Sequence, residues 1–239
     1  MRKIIAEVPP HYIKSLDTSY RFMDNFSGLV NGFNLTDMPL GRVTVDNCAF
    51  VAGIKGSYAA RLISTISVGH RDIAANRSYI RGLSVMGIRQ MLLVQGPSRA
   101  STVSELLPYA VKEGELVGAV ISNERKTRER ITAGVRFFVT QMYPEEEDIM
   151  MLGRLGFSGE VMISVPAFES MDTAGKLMEK GFVVPESVAN SGNPGLATRK
   201  ILLDMMDRAK VAGLMASAYV VPLQVGILQK WLEDLIKNM

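Results

Sequence analysis

The chain has 239 residues, of which 47% are hydrophobic and 21% are charged. This composition excludes a disordered protein and is sufficient for one large domain with a buried core. The 27 Lys and Arg residues exceed the 24 Asp and Glu residues by a net charge of only +3, which is too small for the dense basic surface that binds nucleic acid.

Short apolar runs predict eight β-strands, and a segment of helical periodicity follows most of them. The predicted strands are Ile4–Val8, Leu29–Asn34, Leu62–Val68, Gln90–Gln95, Leu116–Ser122, Phe137–Gln141, Glu160–Val165 and Leu214–Val220. The predicted helices are Ile13–Asn25, Asp72–Met86, Ser101–Lys112, Arg125–Ala133, Glu145–Leu155, Asp172–Lys180 and Leu223–Lys237. Strands and helices alternate about every 30 residues, which predicts a TIM (β/α)8 barrel in a single domain, residues 1–239.

The ends of several predicted helices carry residues that favour a helix terminus. Asp72 can cap the helix that follows it, and Gly87 can end that helix. Pro144 precedes four acidic residues, 145–148, and these favour the start of a helix over a cation site because the oxygen-ligand spacing of a calcium loop is missing. A long helical pattern from Leu196 to Ala212 interrupts the alternation and predicts a helical insertion between strands seven and eight.

The sequence lacks the features of several other classes of protein. Only His11 and His70 could supply imidazole ligands, without a zinc-site spacing, so we expect no metal. The hydrolase Gly-x-Ser-x-Gly motif and the phosphate-binding P-loop motif are both missing. The longest uncharged run, residues 211–229, contains Pro222 and reads as a strand followed by a helix rather than as a membrane span. The single cysteine, Cys48, and the lack of a signal-length apolar start predict a cytoplasmic protein.

Two polar residues at predicted strand ends are the strongest candidates for chemistry, because barrel enzymes place their active sites there. Glu7 ends a very apolar strand, so burial would raise its pKa and allow it to deliver a proton. The alternative is that Glu7 pairs with a cation such as Arg42 or Arg71.

Gln141 can donate and accept hydrogen bonds at once, which suits an amide-bearing heterocycle such as a pterin or a flavin. It could equally satisfy loop backbone.

Five segments carry motifs in a shared order. They are Ala6–Pro10, Thr36–Arg42, Gly87–Gly96, Ala133–Gln141 and the interval from Pro166 to Pro185. Together they resemble the methylenetetrahydrofolate reductase family, a family of flavin-dependent barrels in one-carbon metabolism, over roughly residues 4 to 220. The resemblance implies an oxidoreductase that reduces a methylene-tetrahydropterin, of folate or methanopterin type, to its methyl form.

The resemblance also implies roles for individual residues. Glu7 would be the general acid of catalysis. Substrate contacts would come from Gln141, Thr36, Asp37 and Phe168, the last as a substitute for the family's stacking aromatic, which aligns near Ser170. Contacts to an FAD cofactor would come from Ser67, His70, Gln95, Gly96, Asn123, Lys126 and Arg130, with NADH or NADPH as the electron donor.

The chain departs from the family where flavin is held. Pro97 stands where the family has an acidic residue, and the loop after strand five is shortened to residues 121–125. These departures leave three alternatives: a reductase with altered flavin contacts, direct hydride transfer from a nucleotide, or a pterin-binding relative without reductase activity. The last would be a non-catalytic subunit that binds a pterin or a partner protein, and the 15 methionines could line an interface with another copy or with a partner.

Overall fold

Eight parallel strands close into a barrel in sequence order in a computed structural model of the chain, which describes residues 3–9, 16–39, 44–54 and 61–239. Each strand pairs with the strands that precede and follow it in the sequence, and the eighth closes the barrel by pairing with the first. The strands are β1 (Lys3–Val8), β2 (Gly32–Leu35), β3 (Arg61–Ser67), β4 (Gln90–Val94), β5 (Leu116–Val120), β6 (Phe137–Val139), β7 (Glu160–Ala167) and β8 (Met215–Pro222). The predicted TIM (β/α)8 barrel is confirmed.

Helices lie between the strands in the described part of the chain. They are α1 (Leu16–Phe26), α2 (Asn47–Ile54), α3 (Ile73–Val85), α4 (Val103–Glu113), α5 (Glu124–Thr132), α6 (Glu146–Arg154), α7 (Met171–Glu179), α8 (Glu186–Ala189), α9 (Pro194–Val211) and α10 (Val225–Asn238). The predicted insertion between the last two strands is confirmed, and it contains α8 and α9. The predicted helix start at Ile13 lies outside the described residues, as do His11 and Arg42.

The predicted helix ends have the expected geometry. The Ala75 backbone N–H donates to Asp72 Oδ1 at 2.7 Å, and Gly87 ends α3 with a φ of +82° that favours glycine. The acidic residues after Pro144 form the first turn of α6, where the positive end of the helix dipole favours them.

Large side chains fill the barrel interior. One buried cluster inside the barrel consists of Ile5, Ile63, Leu92, Phe137, Val139, Met162 and Tyr219. A second and larger cluster joins the outer faces of the strands to the helices, and it contains Trp231, which is fully buried. Because apolar side chains fill the barrel, its interior is closed and a ligand must bind at one end.

Strands β7 and β8 pair over eight residue pairs, up to Ala167 with Pro222. Both strands are longer than predicted. The predicted β7 ends at Val165, directly before Pro166, and the predicted β8 ends at Val220, two residues before Pro222. A proline in the last two residues of a strand lacks only its N–H, and its carbonyl can still accept a bond. The longer pair carries residues 221–223 to the rim of the barrel.

None of the helices in the described ranges is both long and apolar enough to cross a lipid bilayer.

Candidate functional site

A cavity of about 420 Å³ opens at the C-terminal ends of the strands. We call it the central cavity. Its deep part is lined by Glu7, Thr65, Leu92, Val139 and Tyr219, and three of these belong to the cluster that fills the barrel. Its outer part is lined by Met38, Pro39, Pro97, Gln141, Lys180 and Phe182. The wall is mainly apolar, so a polar group within it is poorly hydrated.

Glu7 is held at the bottom of the central cavity by the Tyr219 hydroxyl, which donates to Glu7 Oε2 at 2.9 Å. Burial raises the pKa of Glu7 to about 7, and the hydrogen bond from Tyr219 offsets only part of this rise. A carboxyl group with this pKa holds a proton for much of the time at neutral pH. Glu7 can therefore act as a proton donor to a bound ligand.

Asn34 orients the Tyr219 hydroxyl. The Asn34 Nδ2 donates to Tyr219 Oη at 2.7 Å, which leaves the phenol proton for Glu7. The Thr65 hydroxyl donates to Asn34 Oδ1 at 3.0 Å and so fixes the amide. A chain of hydrogen bonds therefore runs from β3 through β2 and β8 to the carboxyl group on β1.

Asp37 lies at the edge of the central cavity and is already neutralised. Arg71 binds both of its oxygens, at 2.6 and 2.9 Å, and the Ser67 N–H donates to Oδ2 at 2.8 Å. The Arg71 guanidinium also lies 4.4 Å from the centre of the Tyr79 ring. Arg71 is thus the partner of Asp37 rather than of Glu7. The other cation considered for Glu7, Arg42, is outside the described residues.

Two other predicted substrate residues keep their hydrogen-bonding groups free within the part of the chain that the structure describes. Thr36 is buried against the central cavity, and its Oγ1 has no partner there. The exposed Gln141 side chain lines the same cavity, and no bond of its amide to another described residue is found. Both groups can bind a polar heterocycle.

Phe168 lies away from the central cavity. Its side chain is fully buried with Ala174, Leu177 and Val188 beneath the insertion, so the structure does not place it where it could stack on a ligand. Among the described residues, two aromatic side chains line the cavity, Tyr219 in its deep part and Phe182 in its outer part.

A second cavity, of about 470 Å³, adjoins the first. The two share Val94, Gly96, Val120 and Gln141 in their walls. The second cavity also contains Arg99, Lys126 and Arg130, and we call it the cationic cavity. The Arg130 guanidinium donates to the Val120 carbonyl, while its buried Nε has no partner among the described residues.

Two residues predicted to contact a cofactor form hydrogen bonds within loops, and one of them, Gln95, also lines the cationic cavity. Gln95 Nε2 donates to the Ser101 carbonyl at 3.0 Å, and its Oε1 accepts from the Val103 N–H at 3.3 Å. Asn123 Oδ1 caps α5 by accepting from the Lys126 N–H at 3.1 Å. Both side chains shape the loops around the cationic cavity.

Three further predicted cofactor residues meet at the boundary between the cavities. Gly96 has a φ of +70°, and a Cβ there would lie 2.6 Å from Ser67 Oγ and 3.5 Å from His70 Nε2. Only glycine fits this place without displacing a neighbour. The His70 Nε2 is buried and has no partner within the described ranges. Those ranges hold no group of three side chains that could bind a metal ion.

Sequence reasoning missed Asn34, Lys180 and Phe182. Asn34 carried a usable signal, since a polar side chain in the buried strand Gly32–Leu35 has to find a partner inside the barrel. Lys180 and Phe182 carried none, because they follow α7 in a connection whose path to the cavity no local pattern indicates.

Comparison with known proteins supports the fold. No protein-family model matches the chain, and no curated protein matches its sequence. An uncharacterized protein from Clostridium thermocellum that binds two copies of 5-methyl-5,6,7,8-tetrahydrofolic acid has a similar structure, with a TM-score of 0.74. The similarity covers 99% of this chain and 94% of that one at 16% sequence identity. At this identity the similarity shows a shared fold.

Proposed function

We propose that the central cavity binds a reduced pterin, and that the protein reduces a methylene-tetrahydropterin of folate or methanopterin type to its methyl form. The observation that carries the proposal is Glu7, a carboxyl group with a pKa of about 7 at the bottom of an apolar cavity. The amide of Gln141, which has no bond to another residue in the described part of the chain, lies in the same wall. The structural neighbour that binds a methylated tetrahydrofolate supports this choice of ligand.

Glu7 supplies the proton that the reaction needs. In a methylene-tetrahydropterin, the one-carbon unit bridges two nitrogens in a five-membered ring. Protonation of the leaving nitrogen by Glu7 breaks one C–N bond and leaves an iminium ion on the other nitrogen. A hydride then adds to the iminium carbon and gives the methyl group. Glu7 is left as a carboxylate, which the hydrogen bond from Tyr219 stabilises.

Gln141 and Thr36 orient the heterocycle. An amide side chain can pair with both the N–H and the carbonyl of a pterin ring, and the Thr36 hydroxyl can donate or accept beside it. Fixing the ring in this way holds the reacting carbon in one position relative to Glu7, which contributes to the rate through orientation.

The cationic cavity has residues that fit the diphosphate of a dinucleotide cofactor such as FAD. Arg99, Lys126 and Arg130 would hold the phosphates, and the Arg130 Nε, which has no partner among the described residues, is a donor available to one of them. When bound, a flavin would carry the hydride from NADH or NADPH. The visible absorbance of the freshly purified protein tests this: the oxidised flavin band supports it, and a colourless protein that takes up no FAD on reconstitution contradicts it.

Turnover assays test the proposed reaction. Purified protein should convert methylene-tetrahydrofolate or methylene-tetrahydromethanopterin to the methyl form with a reduced flavin or nicotinamide donor. Glu7→Gln should keep the fold and pterin binding but reduce turnover by about 10²- to 10⁴-fold, the usual contribution of a general acid. Full activity in Glu7→Gln would remove Glu7 from the mechanism.

A pterin-binding protein without reductase activity is the second candidate. Pro97, which lines the central cavity, has no charge and no N–H to offer a flavin or a pterin. The structural neighbour holds two copies of a methylated pterin, so a second pterin is an alternative occupant of the cationic cavity. Saturable binding of two pterins per chain, with no turnover under any donor, would favour this candidate.

A further inference from the structure

The two oxygens of the Glu7 carboxyl group have different surroundings. The Tyr219 hydroxyl donates to Oε2 at 2.9 Å, so this oxygen serves as an acceptor. No hydrogen bond to Oε1 is found in the described part of the chain, and Glu7 lines the central cavity. Oε1 is therefore the oxygen that a bound ligand can approach.

The direction of the Tyr219 hydroxyl decides whether Oε2 stays an acceptor. A phenol has a single proton, which can point towards Glu7 or away from it. If it points away, the phenol oxygen becomes an acceptor, and the proton of a neutral carboxyl group is drawn to Oε2. A proton held between Oε2 and Tyr219 is not presented to a ligand in the cavity.

Asn34 holds the phenol proton in the direction of Glu7. The Asn34 Nδ2 donates to Tyr219 Oη at 2.7 Å, so the phenol oxygen already accepts a bond on that side. Its own proton is left for the carboxyl group. Asn34 is fully buried in β2, where its amide cannot exchange these partners for water.

Thr65 holds the plane of the Asn34 amide. Its Oγ1 lies 3.0 Å from Asn34 Oδ1 and 2.9 Å from Nδ2, so it contacts both polar atoms. In the reversed orientation of the amide, Oδ1 would face Tyr219 and take the phenol proton. An ionised Glu7 would then lose the hydrogen bond that stabilises it. Only the orientation with Nδ2 towards Tyr219 suits both the neutral and the ionised carboxyl group.

We infer that Asn34 is a positioning residue for Glu7: it keeps Tyr219 as a donor to Oε2, so that the acidic proton lies on Oε1 and faces the ligand. This inference rests on the role of Glu7 as proton donor in the proposed function. In that step the Oε1–H bond breaks, an N–H bond forms on the leaving nitrogen of the ligand, and Glu7 becomes a carboxylate. Tyr219 and Asn34 keep the same arrangement throughout, so the site is organised before the proton moves.

Infrared spectroscopy of the ligand-free protein tests the inference. The carbonyl stretch of a neutral carboxyl group has a lower frequency when the carbonyl oxygen accepts a hydrogen bond. Difference spectra are recorded between about pH 5 and about pH 9, on either side of the Glu7 pKa of about 7. The proteins are the wild type, Asn34→Leu and Thr65→Val.

Subtraction of the Glu7→Gln spectrum isolates the Glu7 band. The other charged groups among the described residues that line the central cavity are Asp37, which is paired with Arg71, and Lys180. These groups are common to all the proteins compared, so their signals cancel.

We expect the Glu7 band to lie at a higher frequency in Asn34→Leu than in the wild-type protein, because Tyr219 is then free to accept the proton from Oε2. Thr65→Val keeps the shape of threonine but holds the amide less firmly, so its band should move in the same direction by a smaller amount. In turnover assays, Asn34→Leu should reduce kcat about threefold to tenfold and change KM by less than about twofold, since one hydrogen bond behind the acid is lost.

Asn47→Leu is the matched control. Asn47 is also a buried asparagine, and its Nδ2 donates to the Leu35 carbonyl at 3.2 Å and to Ser64 Oγ at 3.0 Å. These bonds join the same two strands, β2 and β3, but they do not involve Glu7 or Tyr219. Asn47→Leu should therefore lower the stability and leave the Glu7 band at its wild-type frequency.

Two results overturn the inference and leave Glu7 as the acid of the proposed function. One is a Glu7 band at the same frequency in the wild-type protein, Asn34→Leu and Thr65→Val. The other is a shift in Asn47→Leu as large as in Asn34→Leu, which would reduce Asn34 to a structural role. If the wild-type protein binds no reduced pterin, the proposed function fails, and the band frequencies still decide whether Asn34 directs the proton.

Discussion

Glu7 has an unusual pKa because its carboxyl group is buried, and the hydrogen bond from Tyr219 offsets only part of that effect. The same feature links protein stability to pH. The pKa is about 7 in the folded protein and near 4.5 for an ordinary glutamate. Folding therefore favours the protonated form. The contribution of Glu7 to stability is fully present below pH 4.5, and it is lost as the pH rises towards 7.

Glu7→Gln removes this dependence. We predict that the thermal midpoint of Glu7→Gln, minus that of the wild-type protein, is larger at pH 8 than at pH 5, because only the wild-type protein has a carboxylate to bury. All other ionisable groups are common to the two proteins, so the difference isolates Glu7. Thermal unfolding followed by circular dichroism measures it, and a difference that does not change with pH contradicts the prediction.

Tyr219 acts on Glu7 in the opposite sense to burial. Its hydroxyl stabilises the carboxylate, so Tyr219→Phe should move the titration of Glu7 to higher pH and lower the stability by about 1 kcal/mol for the lost hydrogen bond. A ¹³C NMR titration of the glutamate carboxyl groups reports the shift, with Glu7→Gln identifying the signal. An unchanged Glu7 titration in Tyr219→Phe would show that the hydrogen bond has no electrostatic effect.

At the scale of elements, the ion pair of Asp37 and Arg71 joins the loop after β2 to the turn after β3. The side chain of Asp37 is 4% exposed and that of Arg71 20%. Asp37→Ala should reduce the free energy of unfolding by about 3 kcal/mol, because it leaves a partly buried cation without a partner. The control is Asp17→Ala, whose pair with Arg21 is exposed and should be worth less than about 1 kcal/mol. Equal losses in urea unfolding would contradict this difference.

Gly118 on β5 makes room for an aromatic ring inside the barrel. A Cβ at this position would lie 2.1 Å from an atom of the Phe137 ring. Gly118→Ala should therefore destabilise the protein by about 1–3 kcal/mol, and adding Phe137→Leu should recover part of the loss. Gly175→Ala in α7 is the control, since its Cβ would meet nothing within 4 Å and alanine favours a helix. A loss of stability in Gly175→Ala as large as in Gly118→Ala would contradict the steric explanation.

At the scale of the whole molecule, the barrel could be predicted because each strand is buried on both faces and reads as an apolar run. Helix α2 was missed. Its residues, from Asn47 to Ile54, are mostly small or apolar, so they show no polar face and hence no helical period. The start of β2 was placed at Leu29 instead of Gly32, since the residues before the strand are also apolar.

The ring of strand-end residues could be predicted for the same reason, because barrel topology brings those positions together. The contacts among these residues could not be predicted. Tyr219 and Glu7 are 212 positions apart, and Arg71 and Asp37 are 34 apart. From the sequence alone, Arg71 was therefore a possible partner of Glu7. In the structure, Arg71 pairs with Asp37. Phe168 follows β7 as expected, but its side chain packs under the insertion, whose path no local pattern indicates.

The measurement that tests the account most directly is the binding of 5-methyltetrahydrofolate to the wild-type protein and to Gln141→Ala, by calorimetric titration. We predict saturable binding, weakened about threefold to tenfold by Gln141→Ala because one or two neutral hydrogen bonds are lost. Gln229→Ala, on the exposed face of α10, should bind as the wild-type protein does. The absence of saturable binding, or equal binding by Gln141→Ala, would contradict the claim that the central cavity is a reduced-pterin site.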